Sequence, residues 1–352
     1  MTLQDLLIER IHKSGPISFE DYMRECLYNP EFGYYTSGAV RIGKTGDFYT
    51  NSSVHALYGW TLANYFLAQL GSMDGPLTVL ELGGGEGHFA LDFLCYVSSE
   101  RPKVLSRLNY RIFEASPALR MRQETAFNRA SVKAAWVADL ASIESFQGLV
   151  FANEFFDAFP VRRFRFAGDR WQEICVDALD GRLVETLRPA TPPEGIAPPA
   201  PQEGDEFETS ESRTAILDRL LTLWKAGLFV IVDYGAERPR LTQRYARGTV
   251  LAYEAHRSSE DLYANPGGQD LTAHVDFTAL ADVFRRDPAI TCRRTSQAEF
   301  LVEAGILDVV NRLADAASGL GGIQLHAAMK TLLHPEGMGA VFQVLVATKP
   351  AL

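Results

Sequence analysis

The sequence predicts an α/β fold built on a doubly wound, mainly parallel sheet. Three observations carry that expectation. Short continuous apolar runs begin near residue 77, helical stretches alternate with them, and a glycine-rich turn follows the first run directly. Continuous apolar strands joined by helices belong to parallel sheets covered on both faces. In such sheets ligands lie at the carboxyl ends of the strands.

Taken in order, the first 70 residues read as a mainly helical segment. Leu3, Leu6, Leu7, Arg10 and Ile11 mark one side of a helix, and Ser18 stands three before Asp21 as a cap for the next. "NPEFGYYTSGAVRIGKTGDFYTNS" is rich in turn formers, and helical spacing returns in "HALYGWTLANYFLAQL". Strands are expected at 77–82, 110–113, 134–137, 149–152 and 228–232. Residues 161–188 alternate in polarity around Gly168-Asp169 and Asp180-Gly181, which predicts a small antiparallel insertion. A Pro-rich connector, "RPATPPEGIAPPAPQEGDEFE", then leads to a helix near 211–224. Residues 297–337 look helical, and "GAVFQVLVATK" closes the chain as a strand. The expected organisation is therefore a helical segment, 1–70, and a core, 71–352, with insertions at about 161–206 and 297–337.

With 352 residues, 47% apolar and 22% charged, the composition is that of an ordinary globular protein. A formal charge of −10 argues against a broad nucleic-acid-binding face. Cys26, Cys95, Cys175 and Cys292 form no Cys-x-x-Cys pair, so reduced thiols are expected, and no metal site. "MTLQDLLIERIHKSG" lacks a long apolar core, and no run is long enough to span a bilayer. The expectation is a soluble, cytoplasmic protein without membrane contact. The alternating insertion offers an edge for a homodimer, or packs on its own core.

"TVLELGGGEGHFALDFL" poses the functional question. A dinucleotide fingerprint counted from Gly83 fails at His88, and one counted from Gly85 (Gly85, Gly87, Ala90) starts two residues late. The turn itself carries no Gly-Lys-Ser/Thr, the mark of a phosphate-binding loop. Glycines at 83, 85 and 87 instead admit a compact nucleoside and amino-acid ligand, with Glu81 placed to take an ammonium. Glu114 ends the next strand, where an acid meets ribose hydroxyls, and Asp139 follows the third, within reach of an adenine amino group. Acids after three successive strands suit S-adenosylmethionine, a cationic sulfonium with a free ribose and no phosphate.

"GPISFEDYMRECLYNPEFGYY", "GDFYT", "ELGGGEG", "FEASPALRMRQ", "ANEFFDAFPVRRF", "VDYG" and "DLTAHVDF" occur in an order that resembles the MidA-like family from about residue 14 to the C-terminus. That family includes a mitochondrial complex I assembly factor described as a protein arginine methyltransferase. The resemblance implies a class I methyltransferase fold, Rossmann-like in its sheet, and S-adenosyl-L-methionine as donor. It also implies nitrogen methylation of an arginine. Glu81, Gly83, Gly85, Gly87 and Glu114 match the family's cofactor residues. Asp47 would close over the cofactor, and Asn153, Glu154 and Asp157 would face the acceptor. Guanidinium is always charged, and carboxylates that hold its fork and receive a proton assist its methylation. Glu154 and Asp157, three apart, would share a face if a helical turn begins there. Tyr234 fits an acceptor-pocket wall or a buried anchor. His274 and Asp276 fit a substrate contact or a loop and cap.

The departures from the family pattern cluster near the cofactor. The family turn reads E-L-G-P-G-R-G-T, whereas Gly84, Glu86 and His88 stand here. Where the family carries T-S-P-E and Q-x-F-G-E, Ser53, Ala56 and Trp60 replace a glutamate, a glutamine and a second glutamate. If the family's arginine and one of those glutamates answer each other, this chain has replaced them as a unit, which suggests a rebuilt pocket entrance lined by Trp60. That bears on the acceptor, a protein, a peptide or a small metabolite, more than on methyl transfer; the alternative from another class is a non-catalytic assembly or binding factor that retains the fold, against which Glu81 and Glu114 count.

Overall fold

The computed structural model describes residues 1–37, 51–71, 73–254, 257–316 and 320–351. In chain order its strands are β1 (Ile17–Ser18), β2 (Leu77–Leu82), β3 (Leu108–Phe113), β4 (Ala135–Val137), β5 (Phe146–Asn153), β6 (Arg162–Ala167), β7 (Arg170–Leu179), β8 (Arg182–Pro189), β9 (Glu206–Thr209), β10 (Trp224–Ala236), β11 (Leu251–Glu254), β12 (Arg257–Ser259), β13 (Asp270–Thr272), β14 (Val275–Asp276), β15 (Thr291–Ser296) and β16 (Phe342–Lys349).

The main sheet runs β4-β3-β2-β5-β10-β16-β15, with β14 on the end of β10. β4, β3, β2, β5 and β10 are parallel, and β16 lies antiparallel between β10 and β15. This is the class I methyltransferase fold. The expected strands are all present, but β10 outruns its apolar stretch. Its ladders to β5 and β16 continue through Trp224↔Phe146 and Tyr234↔Phe342. β2 is flanked by β3 and β5, so the winding direction reverses between β2 and β5. The glycine turn after β2 and the acids after β5 therefore meet at one switch point.

Both faces of this sheet are covered. The helices Leu57–Leu70 and His88–Glu100 and the C-terminal helices pack Phe66, Phe93, Ile306 and Leu332 against Phe151 and Val230. On the other face the helices Glu211–Leu223 and Phe277–Arg285 pack Leu217, Leu220 and Phe284 against Val150 and Ile231. Each such side chain contributes roughly 1.5–3 kcal/mol when fully buried. No helix among the described residues is long and apolar enough to cross a membrane.

The insertion forms its own sheet, β1-β7-β6-β9, with β8 on β7. Its two hairpins turn where expected, with positive φ at Gly168 and Asp169 (59° and 62°) and at Asp180 and Gly181 (49° and 73°). The pairing of Ile17 and Ser18 with Val176 and Cys175 joins the N-terminal segment to this sheet. The helix Phe19–Tyr28 starts on the expected cap, Ser18 Oγ accepting from the Asp21 N–H at 3.0 Å. Phe19, Tyr22 and Met23 share a core with Val161, Val176, Leu271 and Ala273. That core also includes part of a second small sheet, β12-β11-β13, which the sequence pattern did not mark.

Candidate active site

The cleft opens at the switch point. Gly83, Gly85 and Gly87 all have positive φ (68°, 52° and 83°), and Gly87 caps the helix His88–Glu100. A Cβ on Gly83 would stand 2.9 Å from Phe155 Cδ2. The bare turn is thus a requirement of close packing as well as of backbone conformation.

Glu81 is 4% exposed and its Oε2 accepts from the Tyr110 hydroxyl at 2.7 Å. Burial pushes it up to about 8, against the pull of the tyrosine and with a further push from Glu114. Glu114 is buried at the end of β3, and burial raises it also. Its Oε1 accepts from the Ser116 N–H at 2.9 Å and its Oε2 from Gln123 Nε2 at 3.4 Å.

Across the cleft, Glu154 holds a φ of +53°. Its N–H donates to the Val232 carbonyl at 2.9 Å. Its Oε1 accepts from the Asn51 N–H at 3.0 Å and from Asn153 Nδ2 at 2.9 Å. Tyr58 in turn donates to Asn153 Oδ1 at 2.7 Å. Burial pushes Glu154 up to about 8 and Asp157 to about 6, where Arg213 holds the latter down. The expected helical turn from 154 to 157 is absent. A left-handed residue at 154 breaks it, and the two acids reach the cleft from an irregular loop.

That loop is gripped from two sides. Asp233 Oδ2 accepts the N–H groups of Phe155, Phe156 and Asp157 at 3.3, 2.9 and 3.3 Å, and Oδ1 accepts that of Tyr234 at 2.8 Å. Oxygens that face only donors are the arrangement of a carboxylate, although burial and Asp157 push Asp233 upward. Arg213 donates to the carbonyls of Phe156 (2.7 Å), Asp157 (3.4 Å), Ala273 (2.8 Å) and His274 (2.9 Å). Anion and cation hold opposite polar groups of one short segment.

The opposite wall of the cleft comes from distant segments. Tyr28, Tyr35, Tyr253, Asp270 and Thr272 line the cleft beside Glu154 and Asp157. Tyr28 donates to the Ala158 carbonyl at 3.0 Å and Tyr35 to Asp270 Oδ1 at 3.0 Å. Tyr28 and Tyr35 lie in "GPISFEDYMRECLYNPEFGYY" and Asp270 and Thr272 in "DLTAHVDF", but no spacing within those motifs singles them out as cleft residues. Tyr234 does line the cleft, with its ring 4.1 Å from that of Phe342.

Several expected site residues lie elsewhere. Asp139 is exposed and turns back to accept from the Ala141 N–H at 2.8 Å, capping a 3₁₀ turn outside the cleft. His274 and Asp276 line a neighbouring cavity with Tyr245, Arg213 and Thr249. The His274 ring stands edge-on to Tyr245 at 4.8 Å and is pushed down to about 4 by burial, Arg213 and Arg244. Asp276 caps the helix Phe277–Arg285 and pairs with Arg238 at 2.7 Å. Trp60 meets the His55 ring at 6.1 Å and packs on the main core instead of lining the cleft. Glu86 and His88 do line the cleft, and Glu86 has an ion partner, Arg122, at 2.7 Å. Ala56 precedes the helix Leu57–Leu70 and makes no side-chain cap. Asp47 lies outside the described residues.

The cleft is anionic. Glu81, Glu86, Glu114, Glu154, Asp157 and Asp270 line it, and its described lining includes no lysine or arginine. Such walls favour a cationic ligand and oppose a pyrophosphate. The glycine cradle, an acid for an ammonium and an acid for a ribose fit S-adenosyl-L-methionine. Among the described residues no group of histidines, cysteines or acids could hold a metal.

Comparison with known proteins agrees. Residues 61–295 match a family described as S-adenosyl-L-methionine-dependent methyltransferases. The chain is 28% identical over 344 residues to the protein arginine methyltransferase NDUFAF7 homolog, mitochondrial, of Caenorhabditis elegans, covering 88% of this chain and 78% of that one. It is 28% identical over 369 residues to NDUFAF7 of Xenopus tropicalis, covering 96% and 83%. A crystal structure from Burkholderia thailandensis with S-adenosyl-homocysteine bound superposes with a TM-score of 0.87 at 30% identity, covering 99% of this chain and 92% of that one. With its sheet order, its glycine cradle and this match in hand, the chain belongs to the family of S-adenosyl-L-methionine-dependent methyltransferases.

Proposed function

We propose that the enzyme methylates a guanidinium nitrogen of an arginine in a protein or peptide. The observation that carries this reading is the pair of acids, half-buried Glu154 and buried Asp157, set in a wall of tyrosines with Asp270 beside them. Planar cations are held by carboxylates and aromatic faces, and a guanidinium presents both a fork and a face. The names of the relatives from C. elegans and X. tropicalis support the same acceptor.

When bound, S-adenosyl-L-methionine supplies a methyl group on a sulfonium. The chain's residues orient the acceptor nitrogen, exclude water and handle the proton. Arrival of a guanidinium charge favours the carboxylate form of Glu154, and the methylated product returns one proton to it. An acid raised to about 8 is suited to receive that proton at neutral pH. Glu81 and Glu114 would hold the donor's ammonium and ribose, and the clamped loop keeps Glu154 aimed at the cleft. Holding both reactants in line lowers the barrier by roughly 7–11 kcal/mol at most.

Incubation with arginine-containing peptides, small guanidines and labelled donor tests the assignment. Label on arginine nitrogen supports it. Label found only on an acceptor without a guanidinium removes it.

A further inference from the structure

Between the glycine turn and the ribose acid lies a side chain with no assigned role. Gln123, on the helix Pro117–Ala130, is 0% exposed. Its Nε2 donates to the Gly85 carbonyl at 2.7 Å and to Glu114 Oε2 at 3.4 Å. Its Oε1 accepts from Trp136 Nε1 at 2.6 Å. The three contacts reach the turn after β2, the acid after β3 and the strand β4.

The indole fixes which way the amide faces. An indole N–H only donates, so it meets the amide oxygen and leaves both amide hydrogens for the opposite side. There the Gly85 carbonyl and the Glu114 carboxylate wait, and both only accept. The indole is itself held, its ring stacked on that of Phe127 at 5.7 Å and 17°. Gln123 also fills the space beneath the turn. A Cβ on Gly84 would come within 3.0 Å of its Nε2, and one on Gly87 within 3.2 Å of its Cγ. Ser116 holds the other oxygen of Glu114, so the carboxylate is restrained at both ends.

We propose that Gln123, oriented by Trp136, is a positioning residue for the donor site: it ties the ribose acid to the glycine turn and thereby sets recognition of the ribose diol. The proposal rests on the assignment of Glu114 to the ribose. A satisfied buried amide of this kind is costly to disturb, because each partner is left with an unmet group in a dry site.

The test compares binding of S-adenosyl-homocysteine and its 2′-deoxy analogue by calorimetry, in wild type, Gln123→Met and Trp136→Phe. Wild type is expected to favour the ribose ligand. Gln123→Met is expected to weaken S-adenosyl-homocysteine by roughly tenfold, the worth of one hydrogen bond to a charged group, and to erase most of that preference. Trp136→Phe keeps a ring against Phe127 but frees the amide to flip, so a smaller loss in the same direction is expected. It also keeps the question open to measurement should Gln123→Met fail to fold. In turnover, the donor KM should rise while kcat at saturation changes little. A folded Gln123→Met that keeps wild-type preference overturns the proposal. A wild type that does not distinguish the two ligands instead removes the assignment of Glu114, and the proposal with it.

Discussion

Asp233→Asn is the sharpest probe of how the loop after β5 is built. Asp233 is 0% exposed and receives four N–H groups, three of them on one oxygen. Asparagine has nearly the same shape but turns one oxygen into a donor. In its better orientation the amide still strands at least one N–H, at about 1–3 kcal/mol. The substitution also removes the anion that balances Arg213 across the loop. Asp233 and Arg213 attract each other across the loop without a direct ion pair, and removing one partner of such a buried pair costs at most about 3–5 kcal/mol, a figure that overlaps the first instead of adding to it. The expected loss of stability is therefore on the order of 4 kcal/mol. Arg213→Met alone should cost a similar amount, whereas the double variant should cost clearly less than the sum. Urea unfolding of the ligand-free proteins, followed by tryptophan fluorescence, reads all four corners of this cycle. A single Asp233→Asn variant within about 1 kcal/mol of wild type, or strict additivity in the cycle, would refute the clamp.

Four further outcomes follow from the same geometry. Glu81 and Glu154 are raised to about 8, so the folded protein holds their protons more tightly than the unfolded chain. Their contribution to stability is then present below about 4.5 and is lost as pH rises through about 8, which thermal unfolding between pH 6 and 9 checks. Binding of S-adenosyl-homocysteine has the opposite sign, because its ammonium wants Glu81 ionised. Affinity should climb towards pH 8 with proton release, seen as buffer-dependent binding heats. Gly83→Ala places a Cβ against Phe155 at a φ of 68°, and calorimetry should show a tenfold or greater loss of affinity in a folded protein. Glu154→Gln keeps an acceptor for the Asn51 and Asn153 donors but loses the base. Turnover should drop by roughly 10²–10⁴ while S-adenosyl-homocysteine binding stays near wild type.

The parallel core was legible because its strands are largely apolar runs between helices. Leu77–Leu82 is buried at every position, and no other element type suits such a run next to glycines. Glu81, Glu114, Glu154 and Asp157 followed from the rule that ligands meet strand ends. Asp139 obeyed the same rule, yet it stands outside the cleft lining and caps its own turn, because a short acid after a strand satisfies its own turn as readily as a ligand. "DLTAHVDF" was conspicuous as a motif, yet its backbone carries more of the site than its polar side chains. Asp270 and Thr272 line the cleft, and the carbonyls of Ala273 and His274 anchor Arg213. Gln123, Asp233 and Tyr35 act on partners 9 to 235 residues away, and no spacing pattern announces such meetings.

The two-residue strand Ile17–Ser18 carries a consequence for how the chain is made. Its partners are Val176 and Cys175, and the neighbouring Tyr22 hydroxyl waits for the Leu262 carbonyl, 240 positions on. At about 5–20 residues per second of synthesis, the first helices emerge roughly ten seconds to a minute before that carbonyl exists. Through that interval Phe19, Tyr22 and Met23 have only part of their core to settle on, first Leu3, Leu7 and Ile11 and later Val161 and Val176, without Leu262, Leu271 and Ala273. Long-range closure of this kind slows folding, and it leaves the nascent N-terminal segment a ready client for a holding chaperone. The opposite wall of the cleft, built from both ends of that span, should be the last part of the enzyme to form.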